Sequence, residues 1–258
     1  MRKIKDTTYD IFVKKIEQNM GKTYLRSDLF RMWQNAGGSK NRFAYGLGKA
    51  KNQKKILLLG GGIFQGISQN EKIQHIDDAY WEILSLVIRE HSPSGAIIAH
   101  EKSMELHLKN YEIPETLVLY TRDSTKRVRV GPYTFHFRSL KSGLKSNAKN
   151  MFRIFEKYSN EIKIENHTFH TLGIELSLLD VTSLKLQKKG IAEDLILRFI
   201  KKYENSYNRD IFGEIIAHRY IRAMNRVRSI AKYHGFEKLY NISLDVIKIE
   251  GGGCFLNL

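Results

Sequence analysis

The sequence predicts an α+β fold in two parts: a small helical unit closed by a hairpin over residues 1–70, and a larger mixed α/β unit over residues 73–258. Three observations carry this. Apolar residues in the opening segment recur at three- and four-residue spacing, the period of amphipathic helices. Two short apolar runs around a glycine turn follow them, the pattern of a hairpin. Beyond the polar link Ser68-Gln69-Asn70-Glu71-Lys72, strands and helices mix without the strict strand–helix–strand repeat of a parallel sheet.

In the first part, Tyr9, Phe12, Val13, Ile16 and Met20 form one apolar face, and Gly21 stops the helix. Ser27 is a candidate N-cap for a short second helix carrying Leu29, Phe30 and Trp33. Gly37-Gly38 breaks the chain, and Ser39 is placed to cap a third helix with Phe43, Leu47 and Ala50 on one side. Asn41, Tyr45 and Asn52 fall opposite, with Arg42 and Lys49 on the flank. Such a helix has an apolar stripe to dock and a polar, basic face for a groove. Gly46 and Gly48 each cost about 1 kcal/mol inside a helix, which weakens its C-terminal half. Lys54-Lys55-Ile56-Leu57-Leu58-Leu59, Gly60-Gly61-Gly62 and Ile63-Phe64-Gln65 then give a hairpin. Three helices followed by a hairpin describe a winged helix-turn-helix. Its DNA-facing residues would be Ser39, Lys40, Asn41, Arg42, Tyr45 and Lys49, with Lys54 and Lys55 on the wing.

The second part opens with a helix marked by Ile76, Tyr80, Ile83 and Val87. The expected sequel is strand Ala96–Ala99, helix Glu101–Leu108, strand Leu117–Tyr120 and a hairpin around Gly131-Pro132. Strands near Ile162–Ile164 and Thr168–Leu176, long helices over 192–204 and 211–233, and closing strands at Val246–Ile249 and Cys254–Leu258 complete it.

Charge points the same way. The chain carries a formal net charge of +16, from 43 Lys/Arg against 27 Asp/Glu. Residues 1–70 hold 14 of those cations and four acids, and between Asp28 and Glu71 there are seven Lys/Arg and no acid. A field this one-sided repels itself unless a polyanion neutralises it, and a phosphate backbone is the usual partner. A single cysteine, Cys254, allows no internal disulfide, no run is long and apolar enough for a membrane span, and the N-terminus lacks a signal-peptide core. A cytoplasmic protein without membrane, metal or cofactor is the expectation.

Several motifs imitate other chemistry. Gly60-Gly61-Gly62 with Gly66 follows a strand, as a dinucleotide-binding loop does, but no amphipathic helix opens behind it. His100-Glu101 begins a zinc-protease motif, yet Met104 stands where the second histidine belongs, and His107 lies about 10 Å along the helix. Glu161-Ile162-Lys163 with Asp123 upstream has the form of a restriction-type nuclease site, the enzymatic alternative to a regulator. Arg219, Arg222 and Arg226 share a helical flank beside Ile216, Tyr220, Ala223, Val227 and Ile230. A second basic run, Arg122 to Lys149, holds eight Lys/Arg and one acid, so an RNA-binding module is a further alternative.

Several stretches carry a family likeness: Lys55–Phe64, the run from Ser94 through His100-Glu101-Lys102-Ser103-Met104 to His107, Ile113-Pro114 with Thr116–Thr121, Leu172-Gly173-Ile174-Glu175-Leu176 leading to Leu179-Asp180, and Arg228 through Gly235. In these the chain resembles the AbiEi family of antitoxins from type IV (abortive-infection) toxin–antitoxin systems. The resemblance implies a non-enzymatic, bifunctional protein. Its winged helix would repress its own operon by binding operator DNA. Its C-terminal domain, with Arg219, Arg222 and Arg226 as the candidate antitoxin surface, would counter a nucleotidyltransferase-like toxin without a stable complex.

Overall fold

The structure, a computed structural model, describes residues 7–67, 76–140, 148–186, 193–218 and 220–249. The chain divides into two compact units, Met1–Pro93 with Arg127–Phe135, and Ser94–Lys126 with His136–Leu258.

In the first unit, α1 (Thr8–Glu17) is capped reciprocally: the Thr7 hydroxyl accepts the Asp10 N–H at 3.2 Å, and the Asp10 carboxylate accepts the Thr7 N–H at 3.0 Å. A three-residue strand, β1 (Thr23–Leu25), follows; buried at every position, it gives no alternation by which to find it. Helix α2 (Arg26–Asn35) starts ahead of Ser27, so the serine is not its N-cap; Asp28, in the first turn, reaches back to accept the Leu25 N–H at 3.1 Å. Helix α3 (Lys40–Asn52) leads to β2 (Ile56–Gly60) and β3 (Ile63–Gly66), and the strands form an antiparallel sheet in the order β1-β3-β2.

This unit is larger than residues 1–70, because α4 (Tyr80–His91) packs on β1 and β3. Tyr80 is fully buried, with the rings of Trp81 and Tyr133 edge-on to it at 5.0 and 4.9 Å. Its aromatic surface gathers in the turn Arg127–Phe135 from far along the sequence. The Tyr133 hydroxyl donates to Asp77, and burial, reinforced by that carboxylate, pushes its pKa up to about 12.

The second unit contains β4 (Ala96–Ile98), α5 (His100–His107) and β5 (Thr116–Thr121), and from the hairpin β6 (Lys126–Val130) and β7 (Tyr133–Ser139) it takes the ends. Then come α6 (Ala148–Lys157), β8 (Ser159–Ile164), β9 (His167–Leu172), α7 (Ile174–Leu186), α8 (Glu193–Tyr203), α9 (Arg209–His218), α10 (Ile221–His234) and α11 (Glu237–Ile249). The six-stranded sheet runs β6-β7-β5-β4-β9-β8, with β4 antiparallel to β5 and parallel to β9. A mixed sheet with helices segregated along the chain is an α+β fold.

Three expectations are corrected. The strand Thr168–Leu176 ends at Leu172, and Ile174 opens α7, whose Leu176, Leu178, Leu179 and Val181 are all buried. A helix buried on nearly every side shows no apolar period, and a short stretch of it imitates a buried strand. Val246–Ile249 is the end of α11, which buries Leu239, Ser243, Val246 and Ile247 at helical spacing. The single helix expected over 211–233 is two, broken at Tyr220, whose φ is +76°. The expected strand Cys254–Leu258 and the link Ser68–Lys72 lie outside the described residues.

The seat of α3 explains its glycines. The Trp33 indole N–H donates to the Ser39 carbonyl at 2.9 Å, while Phe12 meets the ring edge-on at 5.5 Å. A Cβ on Gly46 would stand 2.6 Å from Trp33 Cζ3, and one on Gly38 would overlap the indole. At Gly48 the same atom would meet nothing within 4 Å. Gly46→Ala is therefore expected to destabilise the unit by about 1–3 kcal/mol through overpacking. Gly48→Ala should stabilise it by about 0.5–1 kcal/mol through helix propensity alone. Denaturant melts of the two variants check this, and equal signs would contradict the Trp33 seat.

Candidate nucleic-acid interface

Helix α3 buries Phe43, Gly46, Leu47 and Ala50 and turns its other side outward. Asn41, Tyr45, Gly48 and Asn52 fall at intervals of four, three and four, one line along the solvent side. Ser39, Lys40, Asn41, Arg42, Tyr45 and Lys49 are all exposed, Tyr45 at 75%. Lys49 Nζ lies 4.0 Å from the centre of the Tyr9 ring, and the Tyr9 hydroxyl donates to Gln53 Oε1 at 2.6 Å. The cation is thereby held beside the face on an aromatic support. Ser39 does not cap with its side chain; its carbonyl serves Trp33 instead.

The two candidate wing lysines part company. Lys54 is exposed, with φ +53°, in the left-handed position after α3, and the Lys55 N–H closes the turn onto the Ala50 carbonyl at 2.9 Å. Lys55 turns inward and pairs with Glu17 at 2.6 Å, its side chain 21% exposed. Both therefore stand at the end of α3 and the root of the hairpin. The hairpin tip, Gly60-Gly61-Gly62, carries no side chain at all.

In the second unit the arginine row is interrupted. Arg219 lies outside the described residues. Arg222 is exposed on α10, and Arg226, one turn on, is half-buried, its Nε buried and without a hydrogen-bond partner among the described residues.

Sequence reading missed a polar cluster in the second unit. Asp180, in the leucine-rich middle of α7, is buried. The Tyr120 and Tyr220 hydroxyls donate to its Oδ1 at 2.8 and 3.0 Å, and the His100 N–H donates to Oδ2 at 3.2 Å. Arg138 Nη1 donates to His100 Nε2 at 3.2 Å; since a guanidinium only donates, that nitrogen carries the lone pair. Burial raises the Asp180 pKa, opposed by the two tyrosines, the backbone N–H and Arg138. Two of the non-glycine residues with left-handed backbone, His100 (φ +57°) and Tyr220 (φ +76°), both belong to this cluster. The signal in the sequence was one carboxylate inside Leu176-Ser177-Leu178-Leu179-Asp180-Val181. A charge among leucines is buried only with partners.

The histidines of the His100-Glu101 motif go separate ways: His107 Nε2 lies 2.6 Å from the Leu172 carbonyl, and burial lowers its pKa. The nuclease pair is not assembled. Glu161 and Lys163 are exposed on β8, at the sheet edge, while Asp123 follows β5 and takes a hydrogen bond from the Ser94 hydroxyl at 3.2 Å. Strands β5 and β8 stand three places apart, about 14 Å, too far for carboxylates to share an ion. Among the described residues, no cluster of three His, Cys, Asp or Glu is placed to hold a metal, and no helix is long and apolar enough to cross a membrane.

No protein-family model and no curated protein matches this sequence. Among solved structures, the chain is similar to the crystal structure of RV2827C protein from Mycobacterium tuberculosis, with 12% identity and a TM-score of 0.58, over 96% of this chain and 83% of that one. At that identity the likeness shows a shared fold alone.

Removing the carboxylate in Asp180→Ala takes away the acceptor of three buried donors and is expected to cost about 3 kcal/mol or more in a denaturant melt. Asp180→Asn should cost less. Because the folded pKa is raised, the native state takes up this proton more readily than the unfolded chain, so stability from it is present at low pH and lost as pH rises through the folded value. Wild type should therefore gain on Asp180→Asn as pH falls from 7 toward 4, and a pH-independent difference would rule out a buried, ionisable carboxyl.

Proposed function

We propose that the chain is a DNA-binding transcriptional regulator whose N-terminal unit is a winged helix-turn-helix, and that it also serves as antitoxin to a nucleotidyltransferase-like toxin. The observation that carries the regulator reading is the outward side of α3. It offers Asn41, Tyr45 and Asn52 flanked by Lys40, Arg42 and Lys49, in a stretch of sequence without an acid. The order α1-β1-α2-α3-β2-β3, with the strands antiparallel, supports the winged-helix reading. In this reading α2 and α3 form the helix-turn-helix, α3 enters the major groove, and residue types that bond base edges line its centre. The partner would be operator DNA of the protein's own operon, in the cytoplasm. The antitoxin reading rests on the resemblance to the AbiEi family and assigns that activity to residues 73–258, without a lasting complex with the toxin.

The full chain is expected to bind duplex DNA with an affinity that falls about a thousandfold between 50 and 200 mM salt, if about six phosphates are neutralised. Asn41→Ala, Arg42→Ala and Tyr45→Ala should weaken binding to operator more than to random duplex, and Lys54→Ala should weaken both alike. Gel shifts with the two probes decide this; salt-independent binding, or none, would sink the regulator reading.

For the antitoxin activity, co-expression with the toxin should restore growth. Arg222→Glu with Arg226→Glu should impair that rescue while leaving DNA binding intact. Undiminished rescue by the double variant would remove these arginines from the antitoxin surface, and no rescue by the wild-type chain would remove the activity itself.

A further inference from the structure

The tip of the β2–β3 hairpin presents a difficulty for a DNA-binding unit. A wing grips phosphates with basic side chains, and here the tip is Gly60-Gly61-Gly62, all three with left-handed φ of +121°, +55° and +77°. Two of these glycines are needed for what covers them. A Cβ on Gly60 would collide with the Arg129 carbonyl oxygen, and one on Gly61 would lie 2.5 Å from Val128 Cγ1. The Gly131 N–H donates to the Leu59 carbonyl at 2.8 Å, and His91 Nε2 lies 2.9 Å from the Gly61 carbonyl oxygen. The turn of the β6–β7 hairpin thus lies on the glycine tip within the same unit.

Strand alternation decides what that covering turn shows to solvent. Val128 and Val130 are buried, and Val128 and Val130 are the side chains nearest Gly61. Arg127 and Arg129 alternate with them and are exposed. The structure gives Arg89, Arg122 and Arg198 carboxylate partners in Asp28, Glu156 and Asp194. Among the described residues, Arg127 and Arg129 have no such pairing; Arg129 Nε reaches only the Gly131 carbonyl, at 3.4 Å. The sequence around them is also free of acid. Between Asp123 and Glu156 there are eight Lys/Arg and no Asp or Glu, a second window like the one between Asp28 and Glu71. The fold brings the Arg127–Phe135 part of this second window into the unit that holds the first.

We propose that Arg127 and Arg129 belong to the DNA-binding surface, gripping the phosphodiester backbone in place of the side chains that the β2–β3 tip lacks. The proposal rests on the reading of the N-terminal unit as a DNA binder and extends its surface to a segment far from it in sequence. Duplex DNA is the occupant that the charge favours. Guanidinium forks match phosphate oxygens, and among the described residues neither arginine has a carboxylate partner to give up before a phosphate can be met.

The test uses the full chain and duplexes of random and operator sequence, with affinity followed by fluorescence anisotropy from 50 to 200 mM salt. Arg127→Gln with Arg129→Gln should lower the slope of log affinity against log salt by about 1.8, and each single change by about 0.9, equally for both duplexes. Arg127→Lys with Arg129→Lys should keep the wild-type slope, because charge rather than shape sets counterion release. Arg198→Gln, removing an exposed arginine on α8, should leave it unchanged. A wild-type slope retained by the Gln variants while wild type binds DNA overturns this proposal and spares the regulator reading. Failure of wild type to bind DNA at all overturns both. Should the double variant melt early, the two single variants and the Lys pair still decide the slope.

Discussion

A carboxylate buried among leucines costs several kcal/mol unless donors surround it, so the residues that supply those donors lose their freedom to be elsewhere. Asp180 imposes this on most of the second unit. Tyr120 brings β5, His100 brings the start of α5, and Tyr220 brings the start of α10 to one atom group on α7. Two of these three residues adopt a left-handed backbone, which a side chain enters at a cost of about 1–3 kcal/mol. That strain persists because the hydrogen bonds to Asp180 over-determine the positions. It also sets the break between α9 and α10, and so the directions of both helices. Arg138 completes the arrangement from β7, holding the His100 ring by its unprotonated nitrogen. Such a cluster is a device for specifying one packing, and the outward side of α10 depends on it only through the placement of that helix.

A different contact plays the same part in the first unit. The Trp33 ring occupies the space under α3 that a side chain at Gly38 or Gly46 would need, and its N–H fixes the Ser39 carbonyl where the helix begins. The angle at which α3 leaves α2 therefore follows from an indole wedged between them. A helix held by its inner face at Gly46 is free to carry any polar residues outside, and Asn41, Tyr45 and Asn52 have no packing reason to be there. Gly48 has none either, for its Cβ would meet open space. A glycine that costs helix stability and fills no structural need leaves bare backbone on the outward line.

Periodicity made the first unit legible and hid half of the second. Helices α1 to α3 each have one wet side and one dry side, and Gly37 stands just past the end of α2, but α1 ends at Glu17, short of Gly21, and leaves Met20 outside the helix and exposed. The described residues of α7 are buried on nearly every side, so its apolar run reads in the sequence as a continuation of β9. Strand β1 is too short for any period. The first unit extends past the polar link because α4 buries Tyr80 against aromatic residues of the β6–β7 turn, a pairing between segments more than fifty residues apart. No local pattern announces such a pairing. For the same reason the charges of α3 could be found in the sequence, whereas the pairing of Lys55 with Glu17 and the lack of a carboxylate beside Arg127 and Arg129 among the described residues could not. Each depends on which carboxylate the fold brings near.

Gly60 and Gly61 each lie against the β6–β7 turn. In the sequence they imitate a phosphate-binding loop, where absent side chains let a pyrophosphate approach the backbone. In the structure the same absence admits another backbone, the carbonyl of Arg129, and Val128 closes over Gly61. The close approach that glycine permits is thus spent within the protein. What it brings to the surface beside the tip is a pair of arginines with no carboxylate beside them among the described residues. A basic hairpin tip would have to carry its own cations on a mobile turn. Here the cations ride on a strand whose alternate valines are buried, so in the proposed role they would have less freedom to lose on meeting a phosphate. Nucleic-acid affinity depends on how many phosphates are met by charges already in place. That constraint gives a physical reason for a distant hairpin to rest on a tip made only of glycine.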